Sequence, residues 1–309
     1  MKVLSLFDGI SCARVALEKA KIPVEEYFAS EIDKYAVQTA LKNYPSTIQV
    51  GDVRGVNDKW IAGYHNWGLD LLIGGSPCQD LSVAKKNREG LKGARSGLFY
   101  EYLRILREMK PKYFILENVA SMPQEAKEEI SRELGVQPIL INAALVSAQT
   151  RKRLFWTNIL NVVLPEDRGI YLKDILLEQV DEKYICTNIN NWRIYKSIRG
   201  GNEKSKALTA TMFKGSGNDG MTTIRVGTLN SGGQGDRSVA LSANGGGRGA
   251  KTGLYEVYGK VRRLTPMECE RLQCVPDNYT AGCSDTQRYK MLGNAFNADV
   301  VAHILSFIK

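Results

Sequence analysis

The sequence predicts an α/β protein: a doubly wound, mostly parallel sheet joined to a second, smaller, β-rich unit. Three observations lead there. The first fifty residues alternate strand, helix, strand, helix, strand. Polar residues and glycines cluster just after the strands, where open parallel sheets bind ligands. From about Leu164 to Tyr258 the texture changes: about half of the chain's 29 glycines fall there, among short polar β-prone pieces with little helical spacing. The expected division is a larger unit over residues 1–163, completed by 286–309, and a second unit over 164–285 that includes a helix at 263–273.

The elements follow in order. Lys2 to Phe7 reads as a strand, Asp8-Gly9-Ile10-Ser11 as a tight turn, and Cys12 to Lys19 as a helix with Ala13, Ala16, Leu17 and Ala20 at helical spacing. Glu26 to Ser30 is a second strand, Lys34 to Asn43 a helix, and Thr47 to Val50 a third strand ending in Gly51-Asp52-Val53. Leu69 to Ile73 is a short apolar strand that Gly74-Gly75-Ser76-Pro77 ends abruptly. Lys85 to Gly97 is basic, glycine-punctuated and aperiodic, which predicts a functional loop. A helix over Leu98 to Met109, a strand over Tyr113 to Leu116, a helix near Gln124 to Leu134 and a strand near Ile139 to Ala144 continue the alternation. Gln149-Thr150-Arg151-Lys152-Arg153 then leads into another strand. Thr265-Pro266 with Glu268 forms a well-specified helix start, and Phe296 to Ile308 reads as an apolar helix that needs the first sheet to lie on.

Bulk properties restrict the function classes without choosing one. With 309 residues, 43% hydrophobic and 24% charged, the chain is an ordinary globular protein. Its net charge of +9 fits an anionic partner. Six cysteines without framework spacing fit a reducing compartment, and no run reaches membrane-spanning length, so a cytoplasmic protein is expected. His65 and His303 are the only histidines and no Cys-x-x-Cys occurs, so no metal site is expected.

Phe7-Asp8-Gly9, Glu31, Asp52, Cys78 and Glu117 all fall at the carboxyl ends of predicted strands. A carboxylate at the second strand end suits a ribose diol. The first turn lacks Gly-x-Gly-x-x-Gly, and Asp8 is expected to place negative charge where a pyrophosphate would sit. An adenosine cofactor without phosphates fits better, and S-adenosylmethionine is one. The stretch around Pro77-Cys78 alone leaves a nucleophile and a buried thiol both open. A thiolate beside a carboxyl group, arginines and a methyl donor suits one chemistry, the activation of pyrimidine ring carbon 5 by addition at carbon 6.

Eight motifs in order then resemble those of the DNA (cytosine-5)-methyltransferases of compact prokaryotic or phage type: Phe7-Asp8-Gly9, Glu31-Ile32-Asp33, Gly51-Asp52-Val53, Gly75-Ser76-Pro77-Cys78-Gln79, Glu117-Asn118-Val119, Gln149-x-Arg151-x-Arg153, Arg263-Leu264-Thr265 through Arg271-Leu272-Gln273, and Gly293-Asn294. The resemblance implies a Rossmann-like methyltransferase sheet and a target-recognition domain in the glycine-rich unit. It implies methyl transfer from S-adenosylmethionine to cytosine in a specific duplex sequence, by a monomer, as in restriction-modification systems. By the same resemblance Cys78 would be the nucleophile, Glu117 the partner of ring nitrogen 3 and the exocyclic amine, and Arg153, with Arg151, the holder of the base oxygen. Phe7, Asp8, Gly9, Ile10, Glu31, Ile32, Asp52, Val53, Pro77, Leu98 and Asn294 would bind the cofactor. Two departures stand out: Ser11-Cys12-Ala13 where relatives have a glycine pair, and Phe296-Asn297 after the last motif.

The base lies within a duplex and has to be flipped out. Ser82, Lys85, Lys86, Arg88 and Arg95 on the basic loop, Gln149, and Arg225, Arg237, Arg248 and Lys251 in the glycine-rich unit are the candidates for DNA contact. Two rival readings are a tRNA cytosine-5 methyltransferase on the same scaffold and a non-catalytic DNA-binding regulator. Intact Cys78 and Glu117 argue against the second.

Overall fold

The computed structural model describes residues 1–57, 59–60, 63, 68–76, 97–186, 198–199, 204–205, 207–208, 223–225 and 261–309. Seven strands form the main sheet: β1 (Lys2–Leu6), β2 (Glu26–Ser30), β3 (Ile48–Gln49), β4 (Leu71–Gly74), β5 (Tyr113–Val119), β6 (Ile139–Asn142) and β7 (Lys152–Thr157), in the order β3-β2-β1-β4-β5-β7-β6. All pairs are parallel except those of β7, which runs antiparallel between β5 and β6. The order reverses between β1 and β4, and that switch point opens a crevice at the carboxyl edge.

The central strands are apolar in their middles because helices cover both faces. Val3 and Leu4 are both wholly buried, yet they enter different cores, as alternation along a strand requires. On one face lie α1 (Cys12–Lys19), α5 (Pro266–Leu272), α6 (Asp285–Asn294) and α7 (Ala298–Leu305), packed on Val3, Tyr27, Leu71 and Ile115. On the other lie α3 (Leu98–Met109) and α4 (Gln124–Leu134), where Phe99, Tyr102, Ile105 and Ile130 meet Leu4, Leu72 and Leu116. At the crevice edge, α2 (Lys34–Asn43) starts at Asp33, whose side chain accepts the Tyr35 and Ala36 amides as a helix cap.

Two sequence expectations change. Helix α6 was not expected, because its first turn, Asp285-Thr286-Gln287-Arg288, is polar and its buried residues Tyr289, Met291, Leu292 and Gly293 fall only in its second half, too short a run to show a period. The boundary drawn at 285 is also not a packing boundary. Leu264, Cys269, Leu272, Val275 and Tyr279 share one core with β1 and α1, and the Tyr279 hydroxyl donates to Ile10 O at 2.7 Å. Leu172 and Ile175 join the same core. Of the β-rich unit, the described residues show a four-stranded sheet, β8 (Ile185–Cys186), β11 (Val261–Arg263), β10 (Thr223–Arg225) and β9 (Ile198–Arg199), in that spatial order. Among the described residues no helix is long and apolar enough to cross a membrane.

The α5 start is built as its residues dictate. The Thr265 hydroxyl accepts the Glu268 amide while the Glu268 carboxylate accepts the Thr265 amide, a reciprocal cap with Pro266 in the first turn. That carboxylate also takes two bonds from Arg262, at 2.7 and 2.8 Å, and the Leu177 amide at 2.8 Å. A buried ion pair persists only when its remaining lone pairs are answered, and here they are.

Candidate active site

The crevice holds a cavity of about 400 Å³, a size suited to a small cofactor or substrate. Its floor begins where β1 ends. Phe7, Gly9 and Ser11 adopt left-handed φ angles of 56°, 59° and 59°. Such a run of left-handed residues is sparsely populated and is held only when its surroundings over-determine it. Here the surroundings do. The Gly9 amide donates to Glu31 Oε2 at 2.8 Å and the Asp8 amide to Ser30 O at 3.0 Å. The other Glu31 oxygen accepts the Ile32 and Asp33 amides, both at 2.8 Å. Glu31 is therefore oriented by three backbone donors while its carboxylate lines the cavity.

Asp8 corrects an expectation. It does not line the cavity but turns inward, 4% exposed, where the Tyr27 hydroxyl donates to Oδ1 at 2.6 Å and the Ser11 hydroxyl to Oδ2 at 2.5 Å. Burial pushes its carboxyl up to about 6 against the pull of the hydrogen bonds from Ser11, Ser5 and Tyr27. The twist imposed by its left-handed neighbours sends this side chain under the turn. The carboxylate that faces the ligand space at this end is Glu31.

Phe7, Gly9, Ile10, Glu31, Ile32, Asp52, Val53, Leu98 and Asn294 all line the cavity. Asp52 caps the single 3₁₀ turn Val53–Gly55, and Arg54 folds back on it with Nη2 at 2.5 Å. That Arg54 hydrogen bond holds the Asp52 carboxyl below its usual range.

At the far end, glycine is dictated by contact. A Cβ on Gly74 would lie 2.6 Å from Leu6 O, and one on Gly75 would lie 2.9 Å from Glu117 Oε2. Next to them Asn118 Nδ2 donates to Ser76 Oγ at 3.2 Å and contacts Ser76 O at 3.4 Å, which fixes the residue just before Pro77. Pro77 and Cys78 lie outside the described residues, as do Ser82, Lys85, Lys86, Arg88, Arg95, Arg237, Arg248 and Lys251. Arg225 lies on β10.

Glu117 on β5 and Arg153 on β7 are diagonal neighbours, since Val119 is the residue opposite Arg153. Arg153 Nε stands 2.9 Å from Glu117 Oε1, with the two side chains 18% and 14% exposed. Both line the cavity, so an oriented carboxylate and guanidinium face the same space as Glu31. Arg151, two residues before Arg153, lines the same cavity but is 4% exposed and gives donors to the carbonyls of Leu208, Ala295 and Gly293. Gln149 is wholly buried, its Nε2 3.5 Å from Leu272 O, so its side chain presents no surface to DNA.

Several lining residues escaped the sequence reading. Asp33 and Lys290 pair on the cavity wall with Lys290 Nζ 2.6 Å from Asp33 Oδ2, and Ala36, Arg54, Val119 and Met291 line it as well. Partial burial alone would raise the Asp33 carboxyl, but the hydrogen bonds from Lys290 and the Tyr35 amide outweigh it and hold it low. Lys290 lies one helical turn before Asn294, a relation visible only once α6 is recognised.

The donor set fits a nucleoside joined to a short polar chain: Glu31 for vicinal hydroxyls, Asp52 for an amino group, and Phe7, Ile32, Val53 and Leu98 for apolar faces.

Comparison with known proteins agrees with that chemistry. The family described as C-5 cytosine-specific DNA methylase matches residues 1–309. The chain is 30% identical to the type II methyltransferase M.HhaI of Haemophilus parahaemolyticus over 333 aligned positions, covering all of this chain and 93% of that one. It is also 30% identical to the type II methyltransferase M.NlaX of Neisseria lactamica, covering all of this chain and 96% of that one. Among solved structures, the Entamoeba histolytica methyltransferase EhMeth superimposes with a TM-score of 0.74 at 18% identity, covering 99% of this chain and 97% of that one, which is a likeness of fold.

Proposed function

The chain belongs to the C-5 cytosine-specific DNA methylase family, and from that premise we propose how its own residues carry the reaction and which of them meet the base. It is a DNA (cytosine-5)-methyltransferase that uses S-adenosylmethionine. When bound, this cofactor supplies the electrophilic methyl group that cytosine carbon 5 accepts. Glu31 holds the ribose hydroxyls, Asp52 and Val53 the adenine, Phe7 the face of the cofactor, and Leu98, Pro77 and Asn294 the methionine part.

Cytosine is flipped into the Glu117 end of the cavity. The Cys78 thiolate adds to ring carbon 6, and Glu117, oriented by Arg153, meets ring nitrogen 3 and the exocyclic amine so that the electron pair displaced by the thiolate is stabilised. Carbon 5 thereby becomes nucleophilic. After methylation, loss of the carbon 5 proton expels Cys78 and restores the aromatic ring. The observation that most supports this reading is the shared space: the Glu117–Arg153 pair and the Glu31 cradle line one cavity, so a base and a methyl donor can meet without either leaving its site.

The basic loop, Lys85 to Arg95, closes on phosphates, and the glycine-rich unit reads the target sequence. The type II naming of the two bacterial relatives supports a role as the protecting half of a restriction-modification pair. The protein acts as a monomer in the cytoplasm.

The test is covalent trapping. Duplex DNA carrying 5-fluorocytosine at a methylated site should form a denaturant-stable adduct in the presence of S-adenosylmethionine, because fluorine cannot leave as a proton does. Cys78→Ser should form none and transfer no methyl groups while binding the cofactor within about 3-fold of the native protein. Turnover by Cys78→Ser at a rate near that of the native protein would overturn the covalent route.

A further inference from the structure

Ser205, in the second unit's chain, is stitched to the segment between β6 and β7. The Ser205 amide donates to Ala148 O at 2.7 Å and the Thr150 amide to Ser205 O at 2.9 Å. Lys204 Nζ adds bonds to Ser147 O, at 3.2 Å, and to Ile170 O. Arg151 passes beneath this seam. Its Nη1 donates to Leu208 O at 2.9 Å, and its Nη2 donates to Ala295 O at 2.8 Å and contacts Gly293 O at 3.4 Å. Leu208 is 1% exposed, so the guanidinium bridges two buried backbone segments. The second segment is the end of α6 and the turn to α7, and its Gly293 and Asn294 line the cofactor cavity. Gln273 holds the same turn from another side, donating to Leu292 O at 2.7 Å and Ala295 O at 3.2 Å.

A guanidinium is a planar fork with donors in fixed directions. It cannot follow a displacement of Leu208 without moving its other arm against Ala295. Its donors reach carbonyls far along the chain, whereas Arg153 pairs with Glu117 and donates to the carbonyl of its neighbour Lys152.

We propose that Arg151 is a positioning residue that couples Leu208 to the end of α6 that carries Asn294, so that duplex DNA and the cofactor bind with linked affinities. The proposal rests on the reading above that the glycine-rich unit contacts DNA. It gives Arg151 a role apart from the base-contacting one that the sequence suggested.

The test uses the full-length protein, S-adenosylhomocysteine as a non-reacting probe, and a duplex in which methylation by the native protein has been mapped. Probe affinity is measured with and without saturating duplex. The native protein should show linkage of about 5- to 150-fold, the usual span of coupling between sites. Arg151→Lys keeps the charge and removes the fork, and should reduce the linkage to within about 2-fold. Gln273→Ala loosens the same turn without touching Leu208, and should weaken the probe equally with and without duplex, leaving the linkage in place. Should Arg151→Lys fail to fold, Lys204→Ala loosens the seam from the partly exposed side and should reduce the linkage in part. Full linkage in both Arg151→Lys and Lys204→Ala would overturn the proposal, and so would a fall in kcat in Arg151→Lys with linkage unchanged. Absence of linkage in the native protein would also overturn it. Methyl transfer by the native protein to the same duplex, scored separately, reports on the proposed activity itself.

Discussion

Gly75→Ala isolates the placement of Glu117 from every other part of the reaction. The φ of Gly75 is not in the left-handed region, so alanine costs no backbone strain, and fewer unfolded conformations would by themselves add about 0.4–1 kcal/mol of stability. The cost lies in the contact: the new Cβ would stand 2.9 Å from Glu117 Oε2, 3.6 Å from Glu117 O and 3.7 Å from the Phe296 ring. Restoring an ordinary carbon–oxygen separation of about 3.4 Å requires the carboxylate to retreat by about 0.5 Å. That is roughly the whole tolerance of a productive site. Its other oxygen also lies 2.9 Å from Arg153 Nε, so a retreat would stretch that ion pair. Overpacking of this kind costs about 1–3 kcal/mol, more than the unfolded-state gain, so a net loss of stability is expected. The effect on chemistry should be larger. A tenfold to hundredfold fall in kcat corresponds to about 1.4–2.7 kcal/mol of barrier. Methyl transfer to duplex DNA at saturating cofactor reads it, and calorimetric binding of S-adenosylhomocysteine should stay within about 3-fold of native because the Glu31 end is untouched. Unchanged kcat in a folded Gly75→Ala protein would refute the argument that Glu117 is held in place to act.

Two further outcomes test the interior. The Asp8 carboxyl is raised from 3.8 to about 6 in the folded protein, so between those values the folded state binds the extra proton and this group makes stability fall as pH rises; a shift of that size amounts to roughly 3 kcal/mol. Asp8→Asn should therefore gain on the native protein in urea unfolding at pH 8 relative to pH 4, and a pH-independent difference would contradict the burial argument. Glu268→Ala leaves Arg262, 3% exposed, without its carboxylate and strips the caps from Thr265 and Leu177, so a loss of about 3–5 kcal/mol is expected in the same assay. A loss under about 1 kcal/mol would show that water or another group replaces the pair.

What the residues determined by themselves is the order of elements and the chemistry at their ends. Apolar runs punctuated by Asp8-Gly9, Glu31, Gly51-Asp52 and Gly74-Gly75 specify strands that must stop, and stopping strands in a parallel sheet deliver their next residues to one edge. Local spacing also sufficed for α1 to α5, whose apolar positions recur at helical intervals. Three matters were decided only in three dimensions. Asp8 faces inward because left-handed angles at Phe7, Gly9 and Ser11 rotate the turn, and sequence carries no direct record of a dihedral angle. Helix α6 buries residues only in its second half, behind a polar first turn, so its sequence is too short to show a period, although it brings Lys290 and Asn294 to the cavity. Arg151 and Arg153 are the same residue type two positions apart, yet one donates to the carbonyls of the distant Leu208 and Ala295 while the other pairs with Glu117. The partner of a charged side chain is set by what distant segments bring within 3 Å of it, and that depends on packing rather than on neighbours along the chain.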